Sequence, residues 1–313
     1  MSKFLKTLTM AGLVLGLVLT GAILLARVIP MLDIVSNGLP FLILGCLGLF
    51  LLAAYTGPKG AAPSALVLLI FNAVMLYPGL QSTAIDAEDG RARLLRVATL
   101  NVRQGNDAPE KVVRWFEQMD PDVIVMQEMW RLKRPPFDDL LARYPHRVGE
   151  ESIVILSKHP IQSQGQITRA GFQPWNSTLA RWAQIAVGGV PVEILAVHPA
   201  RPFYPDLQQH DMESITRFVQ SRHGALVVAG DFNQTPWTQT LRRFTDITGL
   251  GALNTYHPTW PMRRDTLRLL PLFPIDNIFI SSQLAVIDLE LAPDLGSDHR
   301  AIAADLALAA PAP

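Results

Sequence analysis

The first quarter of this chain is almost free of charge, and that divides the molecule before any fold is considered. Residues 1–85 contain only Lys3, Lys6, Arg27 and Lys59 as basic residues and Asp33 as their one acidic residue. Three apolar runs fill this stretch, at residues 8–29, 39–55 and 62–80. Each approaches the ~20 residues that cross a bilayer core, and the second lies near the lower limit of ~17. The first run alone would read as a cleaved signal peptide. Two further runs directly after it make residues 1–80 a membrane anchor with three transmembrane helices, a re-entrant hairpin of the second and third runs being the alternative. Lys3, Lys6 and Lys59 favour the cytoplasmic side and Arg27 weakly opposes this. Three spans from an inside start make the chain a multi-pass protein of the cytoplasmic membrane, with everything after Leu80 extracytoplasmic. Residues 81–93 are a polar linker, reaching at most about 50 Å when fully extended. Residues 94–308 then form one domain held near the bilayer, and 309–313 are an Ala/Pro tail.

The whole chain balances 27 basic against 27 acidic residues, so the part after residue 85 carries a slight acidic excess. Surfaces that bind nucleic acid show a basic excess, which makes nucleic acid the less favoured partner. The single cysteine, Cys46, excludes an intrachain disulfide and a cysteine metal cluster.

From residue 94 onward strand and helix patterns alternate. Strands are expected at 95–100, 122–126, 152–157, 180–187, 192–198, 225–229, 275–281, 285–291 and 301–306. Helices are expected at 109–119, 136–144 and 206–222. The Gly188-Gly189 pair reads as a hairpin turn. Many strands with few helices point to sheets packed face to face with helices outside.

Several of these strands end in polar residues able to do chemistry: Asn101, Glu128, His198, Asp231, Asn233, Asp276 and His299. Strand ends are where side chains from distant sequence converge. Ala225-Leu226-Val227-Val228-Ala229 reads as a buried strand that turns abruptly into Gly230-Asp231-Phe232-Asn233. In extended chain, Asp231 and Asn233 would point the same way. Glu128 after a strand is either a solvated loop residue or a hard-oxygen ligand of the kind Mg²⁺ prefers. Gln127 beside it would serve structure. His198 alone is as well read as a packed histidine, and Asn101 as a turn former. Asp276 sits early in an apolar strand, and a buried carboxylate needs a partner. His299, in Gly296-Ser297-Asp298-His299, is a natural one, because an Asp–His pair fixes the imidazole tautomer.

In order along the chain, Thr99-Leu100-Asn101-Val102, Gln127-Glu128, Val197-His198-Pro199, Gly230-Asp231-Phe232-Asn233, Ile275-Asp276 and Gly296-Ser297-Asp298-His299 resemble the motifs of the endonuclease/exonuclease/phosphatase superfamily. The resemblance covers roughly residues 94–308. It implies an α/β four-layer sandwich, two β-sheets flanked by helices, here preceded by three transmembrane helices. It also implies hydrolysis of phosphate esters with Mg²⁺ or Mn²⁺. Glu128 is then the principal metal ligand with Asn101 close by, and Asp298 adds to the metal shell. Asp231 orients or deprotonates the attacking water, and Asn233 hydrogen-bonds the phosphate. Asp276 and His299 act as a pair on the scissile phosphate, and His198 is a second catalytic histidine. Asn277 departs from the His or Tyr common at that place.

Gly230-Asp231-Phe232-Asn233-Gln234-Thr235-Pro236-Trp237 and Pro258-Thr259-Trp260-Pro261 resemble, more finely, membrane-bound bacterial members associated with teicoplanin resistance. That likeness implies a lipid-linked phosphate substrate such as undecaprenyl diphosphate, with a tethered nuclease as the alternative. Leu267, Leu269, Leu270, Leu272 and Phe273, and an aromatic loop at residues 170–175, either contact lipid or pack on the sandwich. Arg263, Arg264 and Arg268 either hold a diphosphate or are simply solvated.

Overall fold

The computed structural model describes residues 2–169, 177–253, 256–264, 267–268 and 270–310. The loop at 170–175 and Leu269 lie outside these residues, as do the side chains of 263–269.

The apolar N-terminal region folds into α1 (Ser2–Leu25), a single 3-10 turn (Pro30–Leu32), α2 (Asp33–Asn37), α3 (Leu39–Thr56) and α4 (Ala61–Leu76), which runs on into a 3-10 turn at Tyr77–Leu80. Two segments are individually long and apolar enough to cross a membrane, Lys3–Leu25 and Ala61–Leu80. The expected middle run, residues 39–55, lies in the second half of a bent pair: Pro30–Asn37 and Leu39–Tyr55 pass together but are bent by 62°, as in a broken span or a re-entrant loop. Gly38 and Pro40 sit at the break, where a helix ladder is most easily interrupted. Apolar side chains cover the outside of the three long helices, with Leu44 63% and Val67 65% exposed. Inside, the Asn72 carboxamide is fully buried and donates to Thr20 Oγ1 (2.9 Å) and to the Leu68 carbonyl (2.8 Å). Polar bonds between helices of this kind hold membrane bundles together.

The remainder contains two six-stranded mixed sheets and a two-stranded antiparallel pair, β10 (Arg263–Arg264) with β11 (Leu267–Arg268). The first has β1 (Leu95–Asn101), β2 (Val123–Met129), β3 (His146–Val148), β4 (Ser152–Ser157), β13 (Leu284–Leu291) and β14 (Ile302–Leu308), in the order β13-β14-β1-β2-β4-β3. The second has β5 (Ile161–Thr168), β6 (Thr178–Val187), β7 (Val190–Val197), β8 (Ala225–Asp231), β9 (Gly251–Ala252) and β12 (Asp276–Ile280), in the order β5-β6-β7-β8-β12-β9. Alternation along each strand sorts side chains into layers. Val97, Val125 and Ile155 of one sheet meet Ile194, Val227 and Ile278 of the other in a central core. The opposite faces bury Ala98, Ile124 and Leu156 under α5 (Pro109–Met119) and α6 (Asp138–Arg143). Leu195, Val228 and Phe279 are likewise buried under α7 (Pro205–Gln220) and α8 (Gln239–Thr248). The result is helix, sheet, sheet, helix.

Most expected elements recur within a few residues. Two of the longer elements, β5 and α8, have no counterpart in the sequence reading, and short strands such as β3 and β9 have none either. β5 is the polar Ile161-Gln162-Ser163-Gln164-Gly165-Gln166-Ile167-Thr168, an edge strand with one solvated face and so no apolar run to reveal it. α8 buries only Leu241 and Phe244, too few for a readable stripe.

The apolar N-terminal region is not independent of the sheets that follow it. Asp33, 2% exposed, accepts hydrogen bonds from the backbone N–H of Gln239 (3.0 Å) and Thr240 (2.9 Å) and from the Thr240 hydroxyl (2.8 Å). It thus places a carboxylate at the N-terminus of α8, where the helix dipole favours negative charge. Asn37 Oδ1 accepts from Thr235 N and Oγ1, both at 3.0 Å. Ile23, Leu39 and Trp237 share an apolar cluster. Gly79 lies so near Trp237 that a Cβ there would sit 2.7 Å from Trp237 Cβ. The linker is tied down as well: Thr83 N and Ala84 N donate to the Ala252 carbonyl, and Ala87 N to Val286.

Candidate active site

Two features of the topology gather the polar strand ends on one rim. β1 runs parallel to β2, and β7 parallel to β8, so all four carboxyl ends point the same way. β12 and β14 are antiparallel to β8 and β1, so their amino ends reach the same rim. The registers pair Asn101 with Gln127, Val197 with Gly230, and Asp276 with Asp231.

Asp231 is the hub. Its Oδ2 accepts from Asn101 Nδ2 (3.0 Å) and lies 3.5 Å from His198 Nε2 and 3.7 Å from His299 Nε2. Its Oδ1 accepts from the Asn233 N–H (2.8 Å). This last bond closes a turn, and Asn233 has φ 54°, so the chain has left the strand by then. The extended alternation expected for Asp231 and Asn233 therefore does not hold. The Asn233 carboxamide instead donates to the Pro199 carbonyl (3.1 Å) and faces a pocket beside His299. Gly230 makes the turn possible. Its φ is 151°, and a Cβ there would collide with the Val197 carbonyl oxygen. Gly230→Ala is expected to cost at least about 2 kcal/mol of stability through overpacking and strain, and to displace Asp231. Thermal unfolding read beside activity checks this: wild-type values for both would disprove it.

His299 Nδ1 and Asp276 Oδ2 are 2.9 Å apart, both buried. Burial opposes charge on His299, but the carboxylates of Asp276 and Asp231 outweigh it and push the imidazole up to about 10. Burial raises the Asp276 carboxyl, and His299 only partly offsets this. Both shifts keep a proton between the two groups at neutral pH. For Asp231, burial is overcome by His299, His198 and the Asn101 N–H, which hold its carboxyl well below the usual range.

Glu128 occupies a β-bulge: the β2–β4 register slips between Met126 and Met129, and Glu128 has φ 53°. The bulge re-aims a side chain at the end of a strand. Gln127 remains fully buried with its amide toward Thr99 (3.4 Å), the structural position expected of it. Glu128 Oε1 accepts from Asn101 Nδ2 (3.3 Å), and Oε2 from Gln104 N (3.4 Å). Asn101 thus bridges the Glu128 and Asp231 carboxylates as a donor, while its own oxygen accepts from Arg103 N (3.0 Å). Asp298 lies on the same rim, accepting from Trp260 Nε1 (3.4 Å), with Arg103 Nε 4.0 Å away.

The residues present fit a hard divalent cation. Two acid side chains, Glu128 and Asp231, converge on one carboxamide, and Glu128 remains part-exposed with Arg201 no nearer than 3.7 Å. Oxygen donors with room for water suit Mg²⁺ or Mn²⁺. Asp231, Asp276 and His299 also offer ligand atoms within 4.8 Å of one another, so a metal could be held there by spacing. Their mutual hydrogen bond already occupies one atom each of Asp276 and His299, leaving Glu128 the better-placed ligand.

Several contributors carried no signal of their own. Arg169 and Asp211 form a buried pair (2.7 Å) that also bonds the His198 carbonyl and the Ala200 N–H, which orients the His198 loop. Thr259 Oγ1 accepts from Asp276 N (3.2 Å), and the Ser297 hydroxyl donates to the Asn101 carbonyl (2.6 Å). Arg201 reaches Glu128 from the loop after His198. Asp33 did have a signal, as the one acidic residue of an otherwise apolar region.

A buried carboxylate flanked by two imidazoles, a bridging carboxamide and a partly exposed glutamate on one rim of the two-sheet sandwich is equipment for hydrolysing a charged ester. Residues 98–299 match the family model described as "Endonuclease/Exonuclease/phosphatase family". The chain belongs to this family, whose members hydrolyse phosphoester bonds with divalent metals. No curated protein matches it in sequence. Among solved structures, its fold is similar to that of an endonuclease/exonuclease/phosphatase from Bacteroides vulgatus (TM-score 0.55, 19% identity, covering 68% of this chain and 98% of that one). Truncated TDP2 from Caenorhabditis elegans is similar (0.56, 19%, 68% and 97%), as is the catalytic domain of human Nocturnin with bound sulfate (0.54, 18%, 74% and 98%).

Proposed function

We propose that this chain is a divalent-metal-dependent phosphohydrolase anchored in the cytoplasmic membrane, with its catalytic domain on the outer face. Its substrate is a phosphate ester presented at the bilayer, and a polyprenyl diphosphate such as undecaprenyl diphosphate fits that description. One observation carries the reading. The domain is bonded to the apolar helices at one end of their bundle, through Asp33, Asn37 and Gly79, and the catalytic rim opens beside that end. Lys3, Lys6 and Lys59 lie toward the other end, near the start of α1 and between α3 and α4. The positive-inside rule then supports a cytoplasmic N-terminus and an outward domain.

Glu128 would hold the metal, with Asp298 and the Asn101 amide completing its surroundings. When bound, the metal withdraws charge from the phosphoryl oxygens. The chain's own groups do the rest. Asp231 stays ionised and orients the attacking water. His299, protonated and fixed by Asp276, donates to a phosphoryl oxygen, as does His198 from the other side. Asn233 contributes a neutral donor at the pocket wall.

The deciding experiment compares phosphate release from a lipid diphosphate with nicking of plasmid DNA by the full-length protein in detergent with Mg²⁺. Phosphate release abolished by chelator is the expected result. DNA nicking without phosphate release would replace this reading with a tethered nuclease. Glu128→Gln is expected to raise the Mg²⁺ concentration for half-maximal rate by about 10–100-fold, the loss typical when metal coordination is impaired. An unchanged metal titration would remove Glu128 from the metal site.

A further inference from the structure

Beside the catalytic rim lies a pocket of 290 Å³, and one of its walls comes from α2, in the apolar N-terminal region, rather than from the catalytic domain. Asn233, His299, Asp298 and Arg201 supply its polar groups on the catalytic side. Ile34 and Asn37 of α2 form one side; Phe203, Trp260, Phe273 and Ile275 form most of the rest, so the lining is largely apolar. The wall is built rather than incidental. Asp33 and Asn37, at the two ends of α2, are both hydrogen-bonded to the segment 235–240 that follows the Asp231–Asn233 turn. Both partners therefore hold Ile34 against the site. The apolar surface continues outward. Phe41, on the first turn of α3, packs on Phe273 with ring centroids 5.7 Å apart, and Trp260 packs on Phe273 at 5.9 Å. Phe203, which lines the pocket, is 75% exposed.

A site for a small polar phosphate ester gains nothing from this surface, because exposed aromatic and aliphatic groups beside charged ones lower solubility without contributing contacts. An ester with an apolar body explains it: the phosphate meets His299 and Asn233, and the chain leaves along Ile34 and Phe203 toward the membrane helices. We infer that the pocket between α2 and the catalytic rim binds the apolar chain of the substrate, so that the bent helix pair containing α2 is part of the specificity site as well as the anchor. This rests on the phosphohydrolase reading above and narrows it to phosphate esters of apolar alcohols. Burial of successive methylenes in such a pocket strengthens binding steadily.

The test is calorimetric binding of butyl, octyl and dodecyl phosphate to the full-length, Mg²⁺-loaded protein in one detergent. Affinity is expected to rise at least tenfold from butyl to octyl phosphate. Ile34→Arg, which puts a charge in the wall, and Phe203→Ala, at an exposed position that the fold does not need, should each reduce that ratio severalfold. Uptake of the longer esters by micelles is common to wild type and variants and cancels in the comparison. Affinity independent of chain length, no binding of any of the three, or a ratio that both variants leave intact would each overturn the inference. So would a short oligonucleotide that binds more tightly than octyl phosphate and depends on Phe203, since the aromatic walls would then be stacking bases. Failure here with phosphate release intact removes only the apolar pocket. Loss of phosphate release from every ester tested removes the underlying function.

Discussion

Asp231→Asn is expected to lower kcat for phosphate-ester hydrolysis by about 10³-fold, within the range for removing a positioned acid–base group, while the fold survives. The side chains are nearly isosteric, and the bond from the Asn233 N–H (2.8 Å) can be kept by the carboxamide oxygen. What disappears is the negative charge that His198 and His299 face at 3.5 and 3.7 Å. The oriented water loses its acceptor, and His299 loses one of the two carboxylates that hold its proton. KM should change far less than kcat, because the Asn233 and pocket contacts remain. Steady-state kinetics with circular dichroism checks this, and a variant within tenfold of wild-type kcat would take Asp231 out of the reaction.

Asp276→Asn should have the next largest effect, by a different route. Asp276 is fully buried and is not itself at the pocket, so it acts through His299. Its loss leaves the imidazole with Asp231, 3.7 Å away, and the weaker pull of Asp298, and its pKa should fall from about 10. A neutral His299 no longer neutralises charge on the phosphoryl oxygen, and kcat should fall about 10²-fold or more. Breaking a buried charge pair also costs about 3–5 kcal/mol. The pH dependence gives a separate signature. Because the folded pKa of His299 lies above its unfolded value near 6.5, its stabilising contribution is complete below about pH 6.5 and is lost as pH rises toward 10. Wild-type stability should therefore decline across that alkaline window more steeply than Asp276→Asn stability does. Imidazole NMR of His299 gives the protonation directly; a neutral ring at pH 7 in the wild type would contradict the assignment.

Much of the catalytic domain was legible because its strands are buried on both faces, and such strands are nearly continuous apolar runs. β1, β2, β7 and β8 stand out for that reason, and the polar residue at each end stands out against them. Edge elements escaped. β5 is half solvated and β9 is two residues long, so neither has an apolar run to read. The turn at Asn233 escaped too, because whether a chain stays extended past a strand end depends on a backbone hydrogen bond to Asp231 that spacing does not disclose. The second apolar run was visible, but the 62° bend that joins it to Pro30–Asn37 was not, since hydropathy is blind to direction.

By itself the sequence determined which residues could do chemistry, the order in which strands present them, and that an apolar region precedes them. All of these follow from local pattern: side-chain type, period and run length. Only the tertiary structure decided that Asp231 sits between two imidazoles, that Asn101 bridges it to Glu128, and that α2 reaches the rim. Those contacts join residues from 27 to more than 200 positions apart. They exist because parallel and antiparallel pairing brings unlike strand ends to one edge, and because Asp33 satisfies the free N–H groups of a helix far along the chain.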